Sequence, residues 1–132
     1  MDNKAIVKAF FSSDYYKNKA TFESYVHPDV EINWNSSKGF IQFDYDSFLE
    51  MVQKMGKSFR QMTPEISHCF QEDDKVCIRF SYLVDSVETE DYFSLADFIC
   101  IWELKDNLLY KGYFMSQAAD EESENFSTFI NL

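Results

Sequence analysis

The chain has 132 residues, of which 45% are hydrophobic and 18% aromatic, and 12 basic against 23 acidic side chains give a formal net charge of −11. That length suits one hydrophobic core, and that apolar content is too high for a disordered chain. So acidic a surface disfavours nucleic acid and anionic membranes as partners. It leaves room for a basic protein partner, or for a surface that is simply acidic and solvated.

Three cysteines, Cys69, Cys77 and Cys100, make an odd number with no CxxC spacing. The opening MDNKAIVKAFF lacks the pattern of a secretory signal, and no apolar run approaches the length of a membrane span. These features predict a reduced, cytoplasmic protein with buried thiols.

Residues 2–26 read as helix, with Ile6, Phe10 and Phe11, then Phe22, Tyr25 and Val26, at helical spacing. Ser12, Ser13 and Asp14 interrupt it, because such side chains compete for backbone hydrogen bonds. His27-Pro28-Asp29 ends the segment as a turn with an exposed His27, since the residue before proline resists the helical region. In VEINWN, Val30, Ile32 and Trp34 alternate with polar residues, a half-buried strand. SSKG is a turn and GFIQF a short strand or extended link. DSFLEMVQKMG is a helix with a Ser47/Glu50 capping-box spacing, Gly56 at its C-cap and an apolar stripe of Phe48, Met51, Val52 and Met55. Residues 57–64 read as irregular because Pro64 blocks helix.

The remainder is strand-like. EISHCFQ, KVCIRFSYLVDSVE, TEDYFSLADFICIWEL and LLYKGYFMSQAAD are separated by the turns EDDK and KDN. These runs exceed the usual strand length, which predicts bends or bulges. Helices first, then one helix within a β-rich remainder joined by short links, predict an α+β domain with a mostly antiparallel sheet. One domain is expected over residues 1–120, with a polar tail over 121–132. No internal repeat or low-complexity segment is present.

In LADFICIWEL both strand faces are apolar. Leu95, Asp97, Ile99 and Ile101 alternate with Ala96, Phe98, Cys100, Trp102 and Leu104. One face covers the helices, so the other needs a cover of its own: a second subunit, giving a homodimer through the outer sheet face, or the chain's own tail. Asp97 stands out, because an ionised carboxylate in an apolar setting is costly unless paired, hydrogen-bonded or protonated.

The order of elements, with YVHPDVEINW, the Gly39 turn before DYDSFLEMV, and FSLADFICIWELKDNLLYKGYF, resembles the nuclear transport factor 2-like superfamily over nearly the whole chain. That group includes the SnoaL-like and ketosteroid isomerase-like proteins. The resemblance implies a cone-shaped roll: a bent sheet wrapped around N-terminal helices, with an internal apolar pocket and dimers through the outer sheet face. In ketosteroid isomerase-like enzymes a protonated Asp on the corresponding strand serves an oxyanion hole with a Tyr of the first helix, while a second Asp is the base. The resemblance places Asp97 at the first position. The base position falls on Trp34, Asn33 or Asn35, and the tyrosine position on Phe10, so the catalytic set is incomplete. SnoaL-like cyclases place an acid/base Asp near the last strand, where Asp120 lies at the far end.

Each candidate has a structural and a functional reading. Asp97 is either a polar anchor or neutral acid in the pocket, sharing its face with Leu95, Ile99 and Ile101, or a structural carboxylate bonded to Tyr, Arg79 or backbone. Trp34 is a stacking wall or plain core. Phe10, Tyr82, Phe114 and Gly112 are pocket residues by strand parity and resemblance, Gly112 leaving space for a ligand, or ordinary packing. His68 and Cys69 point to opposite faces and make no dyad. With only 2 His and no ligand spacing, neither a metal site nor a cofactor is expected. No phosphate loop or GxSxG elbow occurs. Glu72-Asp73-Asp74 and Asp120-Glu121-Glu122 read as solvated turns. The sequence thus points to a module binding a small apolar molecule. The alternatives are an isomerase, dehydratase or cyclase using Asp97 as acid/base, and a dimeric interaction domain with no small ligand.

Overall fold

The computed structural model describes residues 2–86 and 92–119, without the side chains of Ser86 and Tyr92. The polar tail, Asp120 and the cluster Asp120-Glu121-Glu122 lie outside the described residues. Helix α1 (Asn3–Ser12) starts at Asp2, whose carboxylate accepts from the Ala5 N–H at 2.7 Å. Its buried stripe is Ile6, Val7, Phe10 and Phe11. Ser13 ends it, its hydroxyl and N–H both donating to the Phe10 carbonyl. Helix α2 (Lys19–Tyr25) is capped by Asn18 and buries Phe22.

Strand β1 (Val26–Ser36) follows without a break, so His27-Pro28 is extended backbone rather than a turn. Pro28, which has no N–H to give, falls in the irregular stretch between Val26 and Glu31. His27 is buried, not exposed: its Nδ1 accepts from the Asp29 N–H at 3.0 Å and its ring lies edge-on to Tyr110. Strand β2 (Gly39–Phe43) leads into α3 (Tyr45–Ser58).

The cap of α3 is Asp44, in a reciprocal box with Ser47, three residues ahead of the Ser47/Glu50 spacing. Gly56 is not its end, because the helix runs on to Ser58. A Cβ at Gly56 would lie 1.9 Å from the Tyr16 carbonyl oxygen, so this glycine lets α3 pass close to the α1–α2 link. Residues 59–64, expected to be irregular, open strand β3 (Phe59–Glu72). Pro64 blocks helix but fits an edge strand, where it stands opposite Tyr82.

Strands β4 (Lys75–Ser86), β5 (Tyr92–Lys105) and β6 (Leu108–Ala118) complete one sheet in the order β2-β1-β6-β5-β4-β3. Among the described residues, only the β1–β6 pairing is parallel. Asp106 and Asn107 both take positive φ in the β5–β6 hairpin, the conformation a two-residue loop of the right twist requires. Register shifts occur between Ile66 and His68, between Tyr82 and Leu83, and between Glu103 and Leu104, as the strand lengths predict.

The protein is α+β, with its helices on one face of a six-stranded mixed sheet. A continuous core fills the space between them. The inward residues of β5 are Ala96, Phe98, Cys100, Trp102 and Leu104, joined by Leu95 at the register shift. The set that begins at Asp97 faces away: Ile99 and Ile101 are 46% and 42% exposed.

Candidate functional site

The interior holds an aromatic cavity between the helices and the sheet. Phe10, Phe11 and Tyr15 come from α1 and the link after it. Phe48, Met51, Val52 and Met55 form the stripe of α3. The sheet supplies Trp34, Phe80, Tyr82, Phe98 and Phe114, whose rings pack at tilted and edge-on angles, while Phe80 and Phe98 stack flat. Such geometries suit the ring quadrupole and leave little void. The free space is about 20 Å³, which passes the roughly 10–15 Å³ needed to seat one water.

Two phenols are the polar feature of this cavity. The Tyr82 hydroxyl donates to the Phe11 carbonyl at 3.0 Å and lies 2.8 Å from the Tyr15 hydroxyl. Both bonds are satisfied when Tyr15 donates to Tyr82. The Phe11 carbonyl is among those left without a helical partner at the end of α1, so Tyr82 also caps that helix. Both phenol protons are therefore committed, and the pair offers a visitor acceptor lone pairs only. Burial pushes both phenols up from their ordinary value, and the Tyr82–Tyr15 contact raises Tyr82 further. The Trp34 indole N–H is likewise spent on the Ser116 hydroxyl at 2.7 Å.

The structure thus brings together Phe10, Trp34, Tyr82 and Phe114 among the expected ligand-binding residues. It does not bring Asp97 or Ile99 to them. Asp97 sits on the outer face, where it accepts from the Ser81 hydroxyl on β4. Its carboxylate is exposed and hydrogen-bonded, so the cost that made it conspicuous is not incurred. Gly112 does face inward, but its space is taken: a Cβ there would lie 2.9 Å from Cζ3 of Trp102 and 3.1 Å from Cδ1 of Ile32. The glycine seats the Trp102 ring instead of opening a ligand site. Tyr15, Phe11 and the α3 stripe were not among the expected site residues. For the stripe the helical spacing of Phe48, Met51, Val52 and Met55 was the available signal, whereas Tyr15 lies in the link, where no periodicity applies.

A second, open groove of about 500 Å³ runs along the α1–α2 link and the start of β3, past Asp14, Lys17, Arg60 and Thr63. It lies outside the aromatic interior and shares none of its lining. Among the described residues, no helix is long and apolar enough to cross a membrane, and no group of three metal-ligating side chains occurs.

No family profile and no curated protein sequence matches the chain. Solved structures do. IdmH of Streptomyces antibioticus, a proposed polyketide cyclase, superposes with a TM-score of 0.71 at 16% identity, over 88% of this chain and 92% of its own. A proposed SnoaL-like polyketide cyclase from Jannaschia sp. CCS1 gives 0.67 at 9% identity, over 86% and 84%. A protein of unknown function from Burkholderia pseudomallei K96243, described as NTF2-like, gives 0.62 at 12% identity, over 86% and 90%. At such identities the likeness speaks for the fold alone. With its helices seated on one face of a six-stranded sheet around an aromatic interior, the chain has the nuclear transport factor 2-like fold of the SnoaL-like proteins.

Proposed function

We propose that the protein binds a small, largely apolar molecule inside the cone. The aromatic lining with its buried Tyr15–Tyr82 hydroxyl pair carries this reading. Phe10, Trp34 and Phe114 would hold ring systems by stacking and edge contacts. The phenol lone pairs would accept from one hydroxyl or N–H of the ligand. The likeness to proposed polyketide cyclases favours a flat, polyketide-like occupant.

Drug-sized ligands occupy roughly 300–1,000 Å³, far above the cavity of about 20 Å³. Binding therefore requires Met51 and Met55 to move, which unbranched thioether side chains do readily. The competing reading, an isomerase, dehydratase or cyclase using Asp97 as acid/base, has lost its geometric support, because Asp97 lies across the sheet from the cavity. Among the described residues, the cavity lining carries no carboxylate or imidazole to replace it. The free thiols Cys69, Cys77 and Cys100 favour a reducing compartment, the cytoplasm.

The test is titration with an environment-sensitive hydrophobic dye, on the wild type and on Met55→Ala, which enlarges the cavity. Saturable binding is expected, tighter in Met55→Ala and lost in Val52→Trp, which fills it. Absence of saturation in both the wild type and Met55→Ala would overturn the proposal.

A further inference from the structure

The α1–α2 link stands between two spaces. On one side Tyr15 lines the aromatic cavity. On the other, Ser13, Asp14, Tyr16 and Lys17 line the open groove of about 500 Å³, whose second wall is the start of β3. Consecutive link residues are tied to three different elements. Tyr15 is bonded to Tyr82 on β4. The Tyr16 hydroxyl accepts from the Met62 N–H on β3 at 2.8 Å and donates to the Met62 carbonyl at 3.3 Å. Lys17 Nζ donates to the Gly56 carbonyl on α3. The Tyr15 and Tyr16 rings meet edge-on with their centroids 5.4 Å apart. A single step along the chain thus leads from the dry interior to the groove.

The groove is also where this acidic chain turns locally basic. The chain carries −11 overall, yet the groove lining sets Lys17 and Arg60 against one carboxylate, Asp14, among the described residues. Asp14 is engaged, accepting from the Thr21 hydroxyl at 2.8 Å. An ammonium has three donors, and the Gly56 carbonyl takes one of those on Lys17. Arg60 owes its place to a bulge. Phe59 stands opposite Ser86 and Gln61 opposite Asp85, so Arg60 is the extra residue of β3. Bulges re-aim a side chain in this way. A guanidinium presents a planar fork that matches a carboxylate. The two cations come from the two walls, Lys17 from the link and Arg60 from β3.

We infer that the ligand is an amphipathic carboxylate, with its apolar body in the cone and its carboxylate in the groove between Lys17 and Arg60. This rests on the cone binding proposed above and adds a ligand class to it. It also eases the shortage of room. The interior holds about 20 Å³ and the groove about 500 Å³, and ligands need roughly 300–1,000 Å³. Tyr16 is the residue that joins the two spaces when it turns. Its bonds go to the backbone of an edge strand beside the groove, where water can replace them, whereas the Tyr15 bond lies in the dry interior. The net charge repels every anion at long range, but screening confines that field to about 8 Å at physiological salt. Within that range the two groove cations decide.

Fluorescence titration with 1-pyrenebutyrate and with its methyl ester tests the inference, on the wild type, Lys17→Gln, Arg60→Gln and the control Lys54→Gln. The probes share their ring and spacer and differ in the charge of the head. The wild type is expected to bind the acid at least about threefold more tightly than the ester, as two solvent-exposed ion pairs allow. The ester should displace the acid, because both rings take the cone. Lys17→Gln and Arg60→Gln should each lower the acid-to-ester affinity ratio by about threefold, and together they should erase the preference. Lys54→Gln, on α3 outside the groove lining, should leave the ratio as it is. An ester bound as tightly as the acid overturns the inference and leaves the cone reading standing. So does a ratio indifferent to Lys17→Gln and Arg60→Gln, or an acid that the ester does not displace. Saturation by neither probe, in the wild type or in Met55→Ala, removes the cone reading and the inference with it.

Discussion

The two faces of the sheet are built from similar side chains and do opposite work. On the inner face Phe98, Cys100 and Trp102 are buried among the rings of α1 and β6. On the outer face Ile99 and Ile101, one residue along the same strand, stay open beside Asp97. Hydrophobicity alone does not separate the two. Ring content does so on β4 and β5: their inner rows carry Phe80, Tyr82, Phe98 and Trp102, while Cys77, Ile99 and Ile101 on the outer rows are interleaved with Arg79 and Asp97. A close-packed interior needs interlocking volume, whereas an exposed face carries its apolar groups singly among polar and charged ones.

Truncation should expose this contrast most sharply. Trp102 is fully buried against Phe10, Phe114 and Gly112. Trp102→Ala is expected to cost about 3–5 kcal/mol, the range for a large aromatic removed from a core. Ile101→Ala, on the adjacent, 42% exposed residue, should cost less than about 1 kcal/mol in urea unfolding. Equal losses at the two positions would mean that the outer face is packed within the single chain.

The next effect sharpens the account of the interior. Tyr82→Phe removes the hydroxyl that caps Phe11 and receives Tyr15, leaving buried groups unpaired. We expect a loss of about 1–3 kcal/mol near neutral pH. The pH dependence should change as well. Both phenols are pushed up in the folded protein, so the neutral forms are favoured there. Their stabilisation is complete below about pH 10, where unfolded tyrosines also hold their protons. Above it the unfolded chain binds fewer protons than the folded one, so stability falls by about 1.4 kcal/mol per pH unit for each phenol. Urea midpoints between pH 9 and 11 should fall more steeply in the wild type than in Tyr82→Phe. Parallel slopes would mean that the pair does not hold its protons.

Much of this arrangement was legible in the residues. The periodicity of Ile6, Phe10 and Phe11, and of the α3 stripe, marks helices because one face must bury apolar groups. Strand lengths beyond the usual range pointed to register shifts, which occur on β3, β4 and β5. What sequence could not decide was which of the two apolar faces of β5 turns inward, since alternation fixes the period and not the sign. The resemblance to ketosteroid isomerase-like enzymes tipped that choice towards Asp97, and the packing of Trp102 over Gly112 decides it the other way. Gly56 and Gly112 misled for a related reason. Each is explained by a neighbour distant in sequence, the Tyr16 carbonyl and the Trp102 ring, which no local pattern displays.

Asp97 provides the smallest effect and the most pointed one. If its carboxylate served a dry pocket, Asp97→Asn would disturb both stability and ligand binding. On the outer face it accepts from the Ser81 hydroxyl, and an asparagine side chain keeps an acceptor oxygen for that bond. Surface substitutions that preserve their contacts shift stability by less than about 0.5 kcal/mol, so the urea midpoint should hardly move. Dye binding in the cone should be unchanged too, because the β5 backbone separates Asp97 from Phe98 and the other ring-bearing residues. Loss of dye binding in a folded Asp97→Asn variant would contradict the orientation of β5 itself.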